Sequence, residues 1–131
     1  MKVKIGIVGF GEFSESFLPL FIAHPDVEYV CGAELYEPRR KHIEETYGIK
    51  MYESYDEMLE KDTEINSIGI FTQRHQHGPM SIKALKAGKH VYSAVPMAST
   101  PEECKAIIDA VNVSHKIYMM GETCIYYPCA M

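Results

Sequence analysis

The chain is 131 residues long, with 47% hydrophobic residues, 24% charged residues and a formal net charge of −5. These values are typical of a single globular domain and exclude a disordered or fibrous protein. The acidic balance lacks the basic surface that nucleic-acid binding requires, and no segment approaches the roughly 20 consecutive apolar residues that span a bilayer. We therefore expect neither nucleic acid nor a membrane as a partner.

The amino terminus superficially resembles a signal peptide, because two lysines precede an apolar run. The run is short, however, and Glu12 and Glu15 stand where a cleavage site would need small residues. A buried strand explains the pattern better, and we expect a cytoplasmic protein. The four cysteines form no C-x-x-C pair, so we interpret Cys31 and Cys104 as buried free thiols.

Short apolar runs alternate with helical stretches along the whole chain. In order, we predict a strand at Val3–Val8, a helix to about Ala23, a strand at Val27–Ala33, a helix from Pro38 to Gly48, a short helix from Ser54 to Lys61, a strand at 65–71, a helix at 79–87, a short strand at 90–92, a helix behind Thr100 and a last strand at 117–120. This alternation predicts an α/β fold, a doubly wound parallel sheet covered by helices on both faces.

Capping residues and prolines predict several helix boundaries. Ser54 with Glu57, and Thr100 with Glu103, have the spacing of capping boxes. Pro19 is expected to kink the first helix or to leave one turn irregular. The helix behind Thr100 carries Cys104, Ile107, Ile108 and Val111 at helical spacing, so we predict that this face is buried.

A glycine turn follows the first strand and opens the first helix. In this position Gly9 permits a tight turn, and Gly11 lets the backbone approach a pyrophosphate. The amides of Glu12 and Phe13 would meet that pyrophosphate at the helix amino terminus, where the helix dipole favours negative charge. Ser14 takes the place of the small third residue of the motif. The segment predicts a Rossmann-type dinucleotide-binding domain.

Glu34 ends the second strand about 20 residues after Ser14. A carboxylate at that distance accepts hydrogen bonds from a ribose diol and repels a 2′-phosphate, so it favours NAD over NADP. The other interpretation is a solvated loop carboxylate, which the glycines in register make less attractive.

Polar residues from Thr72 to His77 follow the strand predicted at 65–71. Ligands of open α/β sheets bind beyond the carboxyl ends of strands, so this segment is placed to meet one. His77 precedes the predicted helix, and the sequence leaves open whether it faces the ligand or is a capping or surface histidine. The segment does not make a metal site.

Taken together, the glycine turn, Glu34, residues 72–77, residues 88–91 and residues 96–98 resemble the N-terminal domain of the Gfo/Idh/MocA oxidoreductases, which include glucose–fructose oxidoreductase and myo-inositol dehydrogenase. The resemblance covers essentially the whole chain. It implies NAD as cofactor, a sugar or polyol as small-molecule substrate and a homo-oligomer at full length. It also implies a second α/β domain, which we expect is missing here, with residues 1–123 as the Rossmann domain and 124–131 as the start of the second.

The resemblance carries over residue by residue. Gly9, Gly11, Glu12 and Phe13 match the pyrophosphate turn and Glu34 matches the ribose-binding acid. Arg39 matches an arginine that lies against the adenine, although a surface helix charge is as good an interpretation. Thr72, Gln73 and His77 correspond to the family's Thr-Pro-Asn-x-x-His segment.

One departure concerns catalysis. The family has Glu-Lys-Pro where this chain has Ala94, Val95 and Pro96. The family's lysine lies beside the nicotinamide and the substrate hydroxyl, where a cation stabilises developing charge or moves a proton. Val95 can do neither, whereas Pro96 keeps the backbone shape. We therefore assign no catalytic residue and expect cofactor binding to survive.

Three functions remain open at this point. The first is an NAD-dependent oxidoreductase acting on a sugar, cyclitol or related polyol, which this chain alone would not catalyse. The second is an NAD-dependent glycoside hydrolase of the same family, of the α-N-acetylgalactosaminidase type, which the missing lysine and residues 119–122 resemble. The third is a non-catalytic nucleotide-binding module.

Overall fold

A computed structural model describes residues 2–126 and 128–130. The strands are β1 (Val3–Val8), β2 (Val27–Ala33), β3 (Lys50–Tyr52), β4 (Ser67–Ile70), β5 (His90–Ala94) and β6 (Tyr118–Gly121). The helices are α1 (Glu12–Ala23), α2 (Glu37–Tyr47), α3 (Tyr55–Lys61), α4 (Arg74–Lys86) and α5 (Pro101–Ser114). Two short 3-10 turns, Thr123–Tyr126 and Pro128–Ala130, follow β6.

The six strands form one parallel sheet in the order β3-β2-β1-β4-β5-β6. From β1 the chain moves outward to β3, and it then returns to β4 and moves outward to β6 in the other direction. Right-handed crossovers therefore place α1 and α2 on one face and α3, α4 and α5 on the other. The predicted fold class, a Rossmann-type doubly wound sheet, is confirmed.

Two clusters of apolar side chains fill the faces of the sheet. Leu18 of α1 and Ile43 of α2 belong to one cluster, which includes the inward side chains of β1. The other cluster joins α3, α4 and α5 to the strands through Met58, Leu85 and Ile107. Each of these side chains is fully buried, and the two clusters pack the helices against the sheet.

The predicted caps are present, with one difference in detail. The Ser54 and Thr100 hydroxyls accept hydrogen bonds from the amides of Glu57 and Glu103. The two glutamate carboxylates accept bonds from the residues that precede the caps, Glu53 and Ser99, rather than from the cap residues themselves. Helix α2 ends at Tyr47 and is closed by Gly48, as the sequence predicted, and the φ of Gly48 is 66°, a left-handed value.

Some predicted boundaries are wrong. Strand β3 was missed because only three residues separate Ile49 from the turn before Ser54, too few for a periodic signal. Helix α4 begins at Arg74 rather than at Pro79, which lies inside the helix as Pro19 lies inside α1. The strand predicted at 65–71 is shorter at both ends, whereas β5 extends two residues beyond its prediction.

Helix α5 buries a slightly different face from the predicted one. Ile108 is 53% exposed, whereas Ala110 is buried beside Ile107. Among the predicted thiols, Cys31 is fully buried and Cys104 is partly buried. Within the described residues, no helix is both long enough and apolar enough to cross a bilayer. The predicted start of a second domain at 124–131 includes Tyr127 and Met131, which lie outside the described residues.

Candidate cofactor-binding site

A cavity opens at the carboxyl edge of the sheet, where β1 and β4 lie side by side and their connections leave in opposite directions. This is the switch point at which doubly wound sheets bind ligands. The cavity measures about 550 Å³, a size usual for small-molecule sites. Its walls come from four connections and one helix: residues 8–11 after β1, residues 33–35 and Arg39 around the start of α2, residues 54–56 after β3, residues 71–73 after β4, and Gln76, Pro79, Met80 and Lys83 on α4.

Gly9 can be replaced by no other residue without strain. Its φ is +86°, and a Cβ at this position would lie 2.8 Å from the carbonyl oxygen of Phe71. Its amide also donates a hydrogen bond to the carbonyl of Ala33, at 3.3 Å. The turn therefore crosses directly over the ends of β2 and β4, and only glycine combines this conformation with this approach.

Gly11 differs from Gly9 because the space beside it is open. A Cβ built on Gly11 meets no atom within 4 Å. Gly11 is the N-cap of α1 and brings no side chain to cap the helix, so the first amides, including those of Glu12 and Phe13, stay available to a ligand. The Glu12 and Phe13 side chains are exposed. These features suit an anion at the start of α1.

Phe10, between the two glycines, anchors the turn. Its side chain is only 1% exposed and packs on β2 so closely that a Cβ on Gly32 would overlap the ring. Ser14 is also buried, and its hydroxyl donates to the Gly11 carbonyl at 2.9 Å. Sequence reasoning did not single out Phe10, although an apolar residue inside a glycine turn was a readable signal.

The Glu34 carboxylate is held by hydrogen bonds from two backbone amides, one before α1 and one before α2. One carboxylate oxygen accepts from the Phe10 amide at 3.1 Å, and the other accepts from the Tyr36 amide at 2.9 Å. Its side chain is 10% exposed, so the interpretation as a solvated loop carboxylate is wrong. Each carboxylate oxygen keeps a further acceptor site, which a ribose hydroxyl can use.

Arg39 lies at the mouth of the same wall. Its guanidinium nitrogen is 3.6 Å from a Glu34 carboxylate oxygen, and its guanidinium carbon lies 5.7 Å from the centre of the Tyr36 ring. The side chain is nearly half exposed, so the ion pair contributes little to stability. Its planar face is available for stacking against an aromatic base.

Thr72 and Gln73 stand on the opposite wall, after β4. Both residues line the cavity, and Gln73 is the N-cap of α4 without a side-chain capping bond. The Thr72 hydroxyl points towards the Met80 sulfur, at 3.6 Å. The loop is therefore positioned mostly through its backbone.

His77 lies beneath this loop rather than in the cavity wall. It is 1% exposed on α4, so a capping or surface histidine is the wrong interpretation. Its Nε2 is 3.0 Å from the Thr72 carbonyl oxygen, and its Nδ1 is 2.7 Å from the Pro96 carbonyl oxygen. His77 therefore connects the loop after β4 to the loop after β5.

Val95 and Pro96 follow β5 and are exposed, Val95 by 40%. The peptide bond between them is cis. A hydrocarbon side chain at this place cannot donate, accept or hold a proton. The structure thus leaves the position of the family's lysine without an ionisable group.

The sequence reading missed one wall of the cavity. Residues 54–56 belong to the loop after the unpredicted strand β3, and the Asp56 carboxylate lies 2.6 Å from the Lys83 ammonium of α4. The capping box at Ser54 predicted a helix start but not its position in the fold. That position follows from the sheet order, in which β3 pairs with β2 and the Glu34 amide donates a hydrogen bond to the Tyr52 carbonyl.

The ionisable side chains of the cavity wall include two oppositely charged pairs. Glu34 lies beside Arg39, and Asp56 beside Lys83. Cys31 of β2 does not line the cavity, and burial raises the pKa of its thiol to about 12, so the thiol is unreactive near neutral pH. Among residues 2–126 and 128–130, no three His, Cys, Asp or Glu side chains are grouped to hold a metal ion.

The chain matches the family model of Gfo/Idh/MocA proteins, described as an oxidoreductase family with an NAD-binding Rossmann fold, over residues 3–122. Among curated proteins it is 33% identical to an α-N-acetylgalactosaminidase from Shewanella oneidensis, over 95% of this chain and 29% of that protein. The chain thus spans less than a third of the length of this relative.

Solved structures give the same picture of the fold. An NAD-binding protein from Listeria innocua superposes with a TM-score of 0.88 at 28% identity, over 96% of this chain and 37% of that one. The WlbA dehydrogenase from Bordetella pertussis, in complex with NADH and UDP-GlcNAcA, superposes with a TM-score of 0.91 at 21% identity, over 99% of this chain and 40% of that one.

Proposed function

Because the chain belongs to the Gfo/Idh/MocA oxidoreductase family, as its NAD-binding Rossmann domain, we propose that it holds NAD(H) for an oxidoreductase that acts on a sugar, cyclitol or related polyol. The nicotinamide supplies hydride transfer when the cofactor is bound, and the protein supplies binding and orientation. In this proposal residues 1–123 are the Rossmann unit and residues 124–131 begin a second domain that would carry most substrate contacts, and the greater length of the relatives supports a further domain.

The observation that carries the proposal is the position of Glu34. Its carboxylate is fixed by the Phe10 and Tyr36 amides at the wall of the cavity, one strand away from the open start of α1. The first amides of α1, which no side chain caps, would suit a pyrophosphate, while the remaining lone pairs of Glu34 would suit a ribose diol. Gly11, at the start of α1, and Glu34 line the same cavity, which supports a dinucleotide as its ligand.

The same carboxylate favours NAD over NADP. A 2′-phosphate placed against Glu34 would bring two negative groups together on a wall with little solvent, which is unfavourable. Arg39 would stack on the adenine through its exposed guanidinium, and Thr72 and Gln73 would line the part of the cavity beside β4. His77, Val95 and Pro96 would shape the backbone around the nicotinamide.

Titration of the 131-residue chain with NADH and NADPH, followed by cofactor fluorescence, tests this function. We expect saturable NADH binding and at least about tenfold weaker NADPH binding, a difference of roughly 1.4 kcal/mol. No binding of NADH would refute the proposed function. A polyol panel, assayed for NADH formation with this chain and with any longer product of its reading frame, then tests the substrate class. We expect turnover from the longer product only, in homo-oligomeric form.

A second candidate is an NAD-dependent glycoside hydrolase. Two observations favour it: the relative named α-N-acetylgalactosaminidase is 33% identical to this chain, and Val95 stands in place of the lysine of the dehydrogenase pattern. Cleavage of a nitrophenyl glycoside without net NADH formation would support this candidate against the first. Binding of NADH together with inactivity in both assays would instead support a non-catalytic nucleotide-binding module.

A further inference from the structure

A pair of opposite charges lines the cavity on the side of α3 and α4. The Asp56 carboxylate, on the first turn of α3, lies 2.6 Å from the ammonium of Lys83, on the third turn of α4. Both residues line the cavity, and their side chains are 70% and 53% exposed. An ion pair this exposed contributes little to stability. The cavity wall thus presents a hydrogen-bond acceptor and a donor side by side, from which the fold gains little.

The order of the groups along a dinucleotide decides which of them meets this pair. In the proposed binding mode the pyrophosphate lies at the start of α1, beside Gly11, and the ribose lies at Glu34. The strands β1, β2 and β3 are neighbours in that order in the sheet. A nucleotide that starts at the end of β1 and passes the end of β2 therefore continues towards the end of β3, where Asp56 lies. The base is the group that reaches Asp56 and Lys83.

This part of the cavity has the apolar walls and the polar end that a planar base needs. Leu35 after β2 is largely exposed, and Met80 lines the cavity from α4. The Tyr55 hydroxyl donates a hydrogen bond to the Met80 carbonyl at 2.8 Å and so connects the start of α3 to α4. Proteins hold an isolated base by packing against its faces and by hydrogen-bonding its edge. The Asp56–Lys83 pair supplies the groups for the edge.

We propose that Asp56 and Lys83 determine base specificity: the carboxylate accepts a hydrogen bond from the exocyclic amino group of adenine, and the ammonium donates one to the adjacent ring nitrogen. This inference rests on the proposed function, since it needs a dinucleotide in this cavity. Adenine carries a donor beside an acceptor on this edge, the complement of the pair. Hypoxanthine has a carbonyl oxygen and an N–H at the same positions. Because the ribose is held at Glu34, hypoxanthine would bring acceptor against acceptor and donor against donor.

The test compares the affinities of NADH and of reduced nicotinamide hypoxanthine dinucleotide, both measured by cofactor fluorescence. Wild type should bind NADH about tenfold more tightly, a modest ratio because the pair is partly exposed. Asp56→Ala and Lys83→Met should bring this ratio to within about twofold of one and lower NADH affinity about three- to tenfold. The matched controls, Glu60→Ala on α3 and Lys86→Met on α4, change exposed residues outside the cavity lining and should keep the wild-type ratio.

An exchanged pair, Asp56→Lys together with Lys83→Asp, separates base recognition from a structural role. It keeps opposite charges on the same two helices but reverses donor and acceptor along the wall, so the ratio should fall to one or below it. A wild-type ratio within about twofold of one, or a tenfold ratio that persists in the single variants or the exchanged pair, would overturn the inference. The wild-type ratio needs no variant and decides the case in which a variant does not fold.

The same titrations separate this inference from the proposed function. Saturable NADH binding without a preference for adenine would leave the proposed function standing and overturn the role of Asp56 and Lys83. If wild type binds no NADH, the proposed function fails and the inference fails with it.

Discussion

The two halves of the carboxyl edge are built by different means. At the ends of β1 and β2, backbone conformation and a single carboxylate do the positioning: Gly9 crosses over the neighbouring strands, and Glu34 binds the amides of Phe10 and Tyr36. At the ends of β4 and β5, one buried side chain, His77, holds two loops through their carbonyls. The resemblance predicted cofactor-binding residues in both halves, with departures from the family pattern at Ser14 in the first half and at Gln73 and Val95 in the second. The first half is thus positioned by its own backbone, whereas the second depends on a side chain buried beneath its loops.

The largest expected effect is on the first half, from Gly9→Ala. The new Cβ would meet the Phe71 carbonyl at 2.8 Å in a left-handed conformation, so the turn must shift. We expect NADH affinity to fall by more than about a hundredfold and stability by about 2–4 kcal/mol. Cofactor titration and denaturant unfolding measure both effects.

Gly48→Ala is the matched control, because Gly48 also has a positive φ but a Cβ there meets no atom within 4 Å. It should lose about 1 kcal/mol of stability and keep its NADH affinity. Equal losses of affinity in both variants would mean that general destabilisation, and not the turn, governs binding.

Glu34→Ala tests the other element of the first half. We expect NADH affinity to fall about ten- to a hundredfold, since hydrogen bonds to a charged group are lost, and the preference over NADPH to shrink as the repulsion disappears. Glu37→Ala removes an exposed carboxylate paired with Lys41 on α2 and should change neither quantity. An unchanged NADH-to-NADPH ratio in Glu34→Ala would show that the carboxylate does not read the ribose.

A smaller effect, on stability, is expected from Tyr52→Phe on β3, which packs next to β2 of the first half. Burial acts to raise the pKa of Asp62, but hydrogen bonds from Tyr29, Tyr52 and the Glu64 amide lower it below 3.8. Asp62 therefore contributes stability above that pH and loses it as pH falls through the lowered value. Tyr52→Phe removes a bond to the carboxylate and should reduce stability at pH 7 by about 1.5–3 kcal/mol.

The difference in free energy of unfolding between Tyr52→Phe and wild type should narrow as pH falls from 5 to 2. The reason is that a hydrogen bond from the phenol to the neutral acid is weaker than one to the charged carboxylate. NADH affinity should stay within about twofold of wild type at pH 7, since the backbone bond from Glu34 to the Tyr52 carbonyl remains. A large loss of NADH affinity would mean that the position of Glu34 depends on buried side chains, as the loops of the second half depend on His77.

The smallest effect is expected from Val95→Lys in the second half. Val95 is exposed at the end of β5, so the substitution should change stability by at most about 0.5 kcal/mol and NADH affinity by at most about twofold. A stronger effect, measured by the same titration, would show that the side chain at this position takes part in cofactor binding and not only in chemistry.

Much of the fold was readable from local signals. Strands β1 and β2 have the predicted bounds, α1 ends at Ala23 as predicted, and α2 is closed by the left-handed Gly48. The predicted bounds were wrong where the local signal was misleading or too short. Pro79 indicated a helix start, yet it lies in the second turn of α4. Strand β3 has only three residues, too few to give an alternating pattern in the sequence.

The sequence by itself determined the glycine turn and the acid of the candidate site, because their requirements are local: a positive φ, an open helix start and a fixed spacing along one β-α-β unit. Only the tertiary structure decided the roles of Phe10, Asp56 and His77. Phe10 anchors the turn on Gly32, Asp56 reaches the cavity through the position of β3, and His77 faces carbonyls five residues before it and 19 residues after it. Such partners meet through the packing of helices on the sheet, which brings together residues that no sequence period relates.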